Sequence, residues 1–250
     1  MAIDETLLRH FAPAVSRPML RLYGWEPAAL SIGRFQKADE LNLDHCRDRG
    51  LPVVRRITGG GAIFHADELT YSLVCAPSQI PPASSIKDSF RLLTAFLLDF
   101  YRSLGLTANY AVDGASAGER LGGRMPFCFA GRESYDILVD GRKIGGNAQR
   151  RLREVIFQHG SIPLMDRLEE GSACLCDVPP DIAERVTCLE REGVRQDARQ
   201  LKKRLADCFG SCLGVHLVAE DLSLQEQATA ERLMVEKYCS PLWNLKGEEP

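Results

Sequence analysis

The chain has 250 residues, 45% of them hydrophobic and 26% charged, which is ordinary for a globular enzyme and excludes a fibrous or wholly disordered chain. Its formal net charge of −3 argues against a general nucleic-acid-binding protein, because such a domain would be strongly basic. No stretch has the ~20 apolar residues that a membrane helix needs, and no signal-peptide pattern begins the chain, so we expect a cytoplasmic protein.

The nine cysteines are an odd number in a chain of this size, so a closed disulfide framework explains them poorly. We expect most of them to be small, buried apolar side chains. Cys174, Cys176 and Cys188 suggest a zinc site, but their spacing fits no structural zinc pattern and no histidine lies near them in the sequence. We therefore predict no metal site.

The first half of the chain alternates between strand and helix patterns. We predict a helix over residues 1–9, strands over 19–25 and 29–36 with a turn between them, and a polar helix over 39–49. Two apolar strands flank Gly59–Gly61, which predicts a hairpin or tight loop at the glycines. A long amphipathic helix follows, with Ser84 or Ser85 as its cap and Gly105 at its end.

The second half begins with an irregular stretch and then shows a strong hairpin signal. Asp140-Gly141 lies between two strand-like stretches, as is typical of a two-residue hairpin turn. Residues 154–164 form a further predicted strand, and helical patterns dominate from Asp177 onward. Because strands come first and helices last, we predict one α+β domain over residues 1–250.

The glycine triplet Gly59–Gly61 would allow a ligand to lie directly against main-chain N–H groups. A flexible turn without a ligand is the alternative. The neighbouring side chains of Arg55, Arg56, His65 and Thr70 favour a site. Neither a Walker pattern nor a GxGxxG pattern is present, so the triplet is not a phosphate-binding loop.

Lys143 begins the returning strand of the predicted hairpin and is followed by small residues. A lysine in a strand is usually solvated, and that is the alternative here. Beside a ligand-binding loop, its ammonium could instead hold a substrate carbonyl or favour a neighbouring thiolate.

Cys128 lies fifteen positions before Lys143, in the irregular stretch that precedes the hairpin. A nucleophilic cysteine needs a cationic neighbour or a helix terminus to lower its pKa, and Lys143 and His159 are the candidates in this chain. Burial as a small apolar side chain is the alternative for Cys128. His159 could be a general base, an orienting hydrogen-bond partner, or a satisfied core histidine.

The stretches "RRITGGGAIFH", "KIGGNAQRR" and "FQHGSIPL", in this order, resemble the hallmark segments of the biotin/lipoate protein ligase and octanoyltransferase superfamily. The resemblance covers essentially the whole chain. It implies the superfamily's α+β catalytic fold, which is class II synthetase-like, with a mixed or antiparallel sheet flanked by helices. It also implies a narrow acyl tunnel walled by the glycine loop and by the strand of Lys143, whose side chain contacts the acyl carbonyl. The substrate-binding residues that we predict are Arg56, Gly59, Gly60, Gly61, His65, Gly145, Gly146, Ala148, Gln149, His159 and Gly160.

Within the superfamily, "CFAGRESYDILVDGRKIGGNAQ" is similar to the octanoyltransferase branch whose cysteine precedes the lysine hairpin. This implies Cys128 and Lys143 as catalytic residues and an octanoyl group taken from acyl carrier protein. The acceptor would be a lysine of a lipoyl-domain protein, the glycine-cleavage H protein or an E2 lipoyl domain. No cofactor is implied, because ATP is needed only by a ligase.

Two other functions stay open at this point. The first is an ATP-dependent lipoate-protein ligase whose accessory domain is a separate protein, and the second is a non-catalytic lipoyl- or biotinyl-carrier-binding module.

The chain departs from the family pattern at two places. The aspartate that often follows the histidine is displaced here, because Ala66 comes between His65 and Asp67. The chain begins where relatives are already in their first helix, so we expect the family's first strand to be absent. We also expect no C-terminal accessory domain.

Overall fold

The computed structural model describes residues 1–83, 85–114, 131 and 133–250. Its strands are β1 (Met19–Tyr23), β2 (Ala29–Ile32), β3 (Val53–Arg55), β4 (Ile63–His65), β5 (Glu68–Cys75), β6 (Ala108–Tyr110), β7 (Ile137–Val139), β8 (Arg142–Ile144), β9 (Gly146–Arg151), β10 (Ile156–Pro163) and β11 (Val186–Thr187). Its α-helices are α1 (Ala2–His10), α2 (Leu43–Asp48), α3 (Ile86–Ser103), α4 (Ala111–Gly114), α5 (Leu168–Ala173), α6 (Ile182–Arg185), α7 (Ala198–Leu213) and α8 (Leu224–Leu233). Short 3₁₀ segments lie at Ala38–Glu40 and Pro77–Gln79, and π-helical turns at Met234–Tyr238 and Leu242–Lys246.

The largest layer is an antiparallel sheet with the strand order β1-β5-β10-β9. β5 is buried at every position, and β10 at all but its last, because both faces of these central strands are covered. The register pairs His159 with Ser72 on one side and with Ala148 on the other. The predicted α+β class with antiparallel and mixed sheets is confirmed.

The glycine loop connects two strands that do not pair with each other. β3 pairs with β2 in parallel, and β4 pairs with the other edge of β2 in the antiparallel sense. The loop at Gly59–Gly61 therefore crosses over the end of β2. The hairpin alternative was wrong because a strand from earlier in the chain lies between the two flanking strands, and the tight-loop alternative holds.

The third sheet carries the lysine hairpin, with the strand order β11-β8-β7-β6. Asp140 and Gly141 have φ values of 48° and 77°, as a type I′ turn between β7 and β8 requires. This hairpin is as predicted. β11 and α5 were not predicted, because they are too short to show a period.

Helix α3 follows its predicted pattern. The Ser85 hydroxyl accepts a hydrogen bond from the Asp88 backbone N–H at 3.0 Å, which caps the helix, whereas Ser84 lies outside the described residues. α3 packs against α7, where the rings of Phe96 and Phe209 meet edge to face with centroids 5.1 Å apart. Phe96 also meets the ring of Tyr71 in β5 edge to face, with centroids 5.2 Å apart. In the part of the chain that the structure describes, no helix is both long enough and apolar enough to cross a membrane.

Two further predictions from the sequence were only partly right. β1 and β2 form where strands were predicted, but they belong to different sheets. The predicted burial of cysteines holds for Cys46, Cys75, Cys174 and Cys188, whereas Cys176 is exposed.

Candidate active site

A cavity lies between the glycine loop and strands β9 and β10. The predicted residues that line it are Arg56, Gly60, His65, Gly146, Ala148, His159 and Gly160. Thr70 and Asn147 also line it. Residues that were not predicted complete its wall, and these are Met1, Trp25, Ser31, Ile63 and Ser161.

Arg56 holds the glycine loop in place from a buried position. One guanidinium nitrogen donates to the carbonyl oxygen of Ser31 at 3.2 Å and to its hydroxyl at 3.1 Å. The other donates to the carbonyl oxygens of Gly59 at 3.0 Å and of Gly61 at 2.6 Å. The planar fork of arginine suits this arrangement, because it directs several N–H groups at once. The cavity wall at the glycine loop is therefore rigidly anchored to β2.

The glycine loop also needs a small residue opposite it. A Cβ atom on Gly33 would lie 1.9 Å from the carbonyl oxygen of Gly60, whereas one on Gly59 would meet nothing within 4 Å. Gly33 is thus required for the close approach of the two backbones, which sequence reasoning missed.

His65 is fixed by a buried hydrogen-bond network. Its Nδ1 lies 2.8 Å from Oε1 of Glu68, and its Nε2 lies 2.7 Å from the hydroxyl of Ser31. Because a carboxylate oxygen accepts hydrogen bonds, Nδ1 of His65 donates to Glu68. The indole of Trp25 stacks on the imidazole with centroids 4.0 Å apart. His65 therefore presents an oriented ring to the cavity.

His159 is a buried, uncharged partner of the glycine loop. Its Nε2 lies 2.6 Å from the hydroxyl of Thr58. Burial, reinforced by the nearby Arg56 guanidinium, lowers the pKa of His159 to about 3. His159 is thus neutral at pH 7. The hypothesis that it could be the cation that stabilises a thiolate is wrong, and Lys143 is left as the candidate.

Lys143 is 2% exposed, so the solvated alternative is wrong. Its Nζ lies 2.7 Å from Oδ2 of Asp136 and donates to the carbonyl oxygen of Gly131 at 3.0 Å. Oδ2 of Asp136 also accepts from the Glu133 backbone N–H at 2.7 Å, which fixes the carboxylate. Asp136 was missed, although a signal existed. It lies two positions before Leu138, the register partner of Lys143, and such diagonal neighbours are within reach of a long side chain.

Gln149 lies on the opposite face of β9 from the cavity. Its amide donates to the side-chain oxygen of Gln158 at 2.9 Å, and Gln158 in turn donates to the Leu93 carbonyl oxygen of α3 at 3.0 Å. Because side chains alternate along a strand, Ala148 faces the cavity and Gln149 does not. The structure does not bring Gln149 to the predicted site.

Gly145 contributes backbone rather than cavity lining. It has a φ of +83°, and a Cβ atom there would lie 2.3 Å from the Ser161 carbonyl oxygen. Gly59 and Gly61 likewise take part through their carbonyl oxygens. Cys128 lies outside the described residues.

Asp67, the displaced acidic residue, lies away from the cavity. Its carboxylate accepts from Nε of Arg167 at 2.8 Å and from Nη2 at 2.6 Å, in a half-exposed pair. Asp67 therefore pairs with Arg167 at the surface next to α5.

The chain matches the family model described as the lipoyl protein ligase A/B catalytic domain over residues 1–210. It belongs to this family. Among curated relatives, octanoyltransferase LipM of an Exiguobacterium species is 44% identical over 260 residues, covering 97% of this chain and 92% of the relative. LipM of Kyrpidia tusciae is 35% identical, covering 98% of this chain and 93% of the relative. LipM of Bacillus subtilis is 32% identical, again covering 98% and 93%.

Solved structures of the lipoyl protein ligase A/B family share the fold. A lipoate-protein ligase A bound with ATP superposes with a TM-score of 0.82 at 26% identity, covering 99% of this chain and 93% of that one. The bi-partite lipoate protein ligase of Thermoplasma acidophilum, solved in a study with its E2 lipoyl domain, gives 0.80 at 25% identity, covering 100% and 91%. Since the curated relatives share one activity over nearly their full length, this family member is an octanoyltransferase of lipoate biosynthesis.

Proposed function

We propose that the chain takes an octanoyl group from acyl carrier protein, holds it as a thioester on Cys128, and passes it to a lysine of a lipoyl-domain protein in the cytoplasm. The observation that carries this proposal is the buried ammonium of Lys143, which donates to the carbonyl oxygen of Gly131. Gly131 follows Cys128 by three positions in the sequence. Gly131, a described residue close in sequence to Cys128, therefore contacts a buried cation.

A nearby cation favours the thiolate form of a cysteine, and the thiolate is the nucleophile. In the first half-reaction the Cys128 sulfur bonds to the octanoyl carbonyl carbon, and the bond from that carbon to the donor sulfur breaks, releasing the carrier thiol. In the second, the acceptor amine bonds to the same carbon, the bond to Cys128 breaks, and the proton that the amine gives up balances the departing thiolate. Lys143 would stabilise the thiolate and orient the acyl carbonyl.

The cavity behind the glycine loop supports the acyl-binding part of the proposal. Gly60, Gly146 and Ala148 line this cavity, and residues with no side chain or only a methyl group suit an unbranched chain. One thioester is exchanged for another at nearly equal free energy, so the proposed reaction needs neither ATP nor another cofactor.

The acceptor is proposed by analogy with a structural neighbour. The Thermoplasma acidophilum ligase is described together with its E2 lipoyl domain. We therefore propose a lipoyl-domain acceptor, either the glycine-cleavage H protein or an E2 lipoyl domain.

The test is the acyl-enzyme itself. Incubation with octanoyl-acyl carrier protein and no ATP is expected to give a protein heavier by one octanoyl group, and hydroxylamine is expected to remove that group. Cys128→Ala should abolish the adduct. Cys176→Ala, which removes an exposed thiol, is the matched control and should keep it. An adduct that still forms and still transfers in Cys128→Ala would refute the mechanism.

The ligase alternative keeps one supporting observation, the structural neighbour bound with ATP. It requires octanoyl or lipoyl transfer that depends on ATP and proceeds without Cys128.

The variant Lys143→Ala tests the role of Lys143. It should abolish transfer with the fold intact, and a near-normal rate would remove Lys143 from the site.

A further inference from the structure

A second cleft lies beside the acyl cavity and has no role so far. Ser161 lines both spaces, so the two adjoin at that residue. The other residues that line the second cleft come from the β4–β5 turn, from α5 and from the segment around β11. Those that matter below are Phe64, Ala66, Glu68, Leu168, Val186 and Arg191.

The junction of the two spaces lies next to the strand of Lys143. Gly146 pairs with Ser161 across β9 and β10, and the Ser161 carbonyl oxygen packs directly on Gly145. On the other edge of β8, Lys143 is the register partner of Val186, which lines the second cleft. A thioester held at the junction near Ser161 would therefore have the acyl cavity on one side and the second cleft on the other.

The lining of the second cleft suits an uncharged ligand. Phe64, Leu168 and Val186 supply apolar surface. Its two arginines already have acidic partners, since Arg167 contacts Asp67 at 2.6 Å and Arg191 contacts Asp166 at 2.6 Å.

The junction itself is acidic. The hydroxyl of Ser161 donates to the carboxylate of Glu68, which also lines the cleft. A polyanion such as a nucleoside triphosphate would be repelled by the carboxylate and would meet only arginines that are already paired. A neutral chain that carries amides and methyl groups would not be repelled.

We propose that this second cleft binds the pantetheine arm of the acyl donor. The proposal rests on the function proposed above, because it places the donor sulfur at the junction near Ser161 and Lys143. The octanoyl chain then lies in the acyl cavity, and the uncharged amide arm lies in the second cleft. When the bond between the carbonyl carbon and the donor sulfur breaks, the pantetheine thiol leaves through the cleft, and the acyl chain stays behind.

The test compares two small donors in the first half-reaction of the full-length protein. Octanoyl-pantetheine has the arm, and S-methyl thiooctanoate has the same acyl thioester without it. We expect kcat/KM for acylation to be at least about tenfold higher with octanoyl-pantetheine, which corresponds to ~1.4 kcal/mol of binding by the arm. This comparison uses the unmodified protein, so it does not depend on the folding of a variant.

A cleft-filling variant then locates the effect. Ala66→Trp places an indole in the second cleft and should lower the ratio of the two kcat/KM values about tenfold. Ala206→Trp makes the same change on α7, outside both spaces, and should leave the ratio at its unmodified value.

The outcomes separate this proposal from the proposed function. If neither donor acylates the protein and octanoyl-acyl carrier protein does not either, the proposed function itself fails. If both donors acylate with equal kcat/KM, or if Ala66→Trp leaves their ratio unchanged, only the assignment of the cleft is overturned. Competition by ATP but not by pantetheine would also overturn it, because the cleft would then be a nucleotide site.

Discussion

Nζ of Lys143 lies 2.7 Å from Oδ2 of Asp136, and both side chains are at least 95% buried. A single unpaired charge in the protein interior is strongly unfavourable, so the two buried side chains stay paired. The carboxylate therefore fixes the position of the lysine side chain.

We predict that Asp136→Ala destabilises the protein by about 3 kcal/mol, because the buried ammonium loses this carboxylate. Lys143→Met with Asp136→Leu should recover part of that loss, since an apolar pair needs no charge compensation. Urea unfolding measures both. As a control, Asp207→Ala removes the acid of the exposed pair with Lys203 and should cost less than about 1 kcal/mol. Equal losses of unfolding free energy in Asp136→Ala and Asp207→Ala would contradict the prediction.

Arg56→Lys is predicted to lower kcat/KM for octanoyl transfer by about tenfold, since a single ammonium cannot bind Ser31, Gly59 and Gly61 together. The glycine loop would then lose its anchor on β2. Steady-state kinetics with octanoyl-acyl carrier protein measure the effect. The matched control is Arg185→Lys, which alters an exposed pair with Asp181 and should have no effect on kcat/KM. An unaltered rate in Arg56→Lys would show that the anchor is dispensable.

Gly33→Ala and Gly59→Ala form a matched pair of variants that tests the packing of the glycine loop against Gly33. The added methyl group at Gly33 would collide with the Gly60 carbonyl oxygen, so we predict a loss of about 1–3 kcal/mol of stability and slower transfer. The same methyl group at Gly59 meets open space and should change stability by less than about 0.5 kcal/mol. Thermal unfolding and the acylation rate check both. The geometry would be refuted if Gly59→Ala were the more damaging change.

The buried His159 predicts an acid-dependent loss of stability. Its pKa falls from 6.5 to about 3 on folding, so between these pH values the unfolded chain binds a proton that the folded chain does not. The free energy of unfolding therefore decreases as pH falls from 6.5, by up to about 5 kcal/mol at pH 3 from this group alone. Denaturant unfolding between pH 7 and pH 4 measures the slope.

His159→Gln should reduce that pH dependence, because glutamine does not titrate. His216→Gln, at an exposed position, should leave it unchanged. A slope that stays the same in His159→Gln would show that another group causes the acid sensitivity.

Local patterns in the sequence were sufficient for most of the elements. The period of α3, its Ser85 cap and the Asp140-Gly141 turn each depend on neighbouring residues, so they could be predicted. The three motif stretches likewise led to the superfamily, and the stretch "CFAGRESYDILVDGRKIGGNAQ" led to its octanoyltransferase branch. The roles of the individual site residues stay predictions, and among them Cys128 lies outside the described residues.

The pairing of strands and the walls of the site were decided only by the tertiary structure. Ser31 and Trp25 reach His65 because β2 lies between β3 and β4, an arrangement that no local signal shows. Similarly, the neutral state of His159 follows from its burial beside Arg56, about a hundred positions earlier in the sequence.

The sequence by itself therefore determined the elements, the α+β class and the chemistry to expect, since these depend on residue types at short spacings. Only the tertiary structure decided which side chains share the cavity, that His159 is buried beside Arg56, and that a second cleft adjoins the first at Ser161. The physical reason is that burial and charge compensation arise from contacts between segments far apart in the chain.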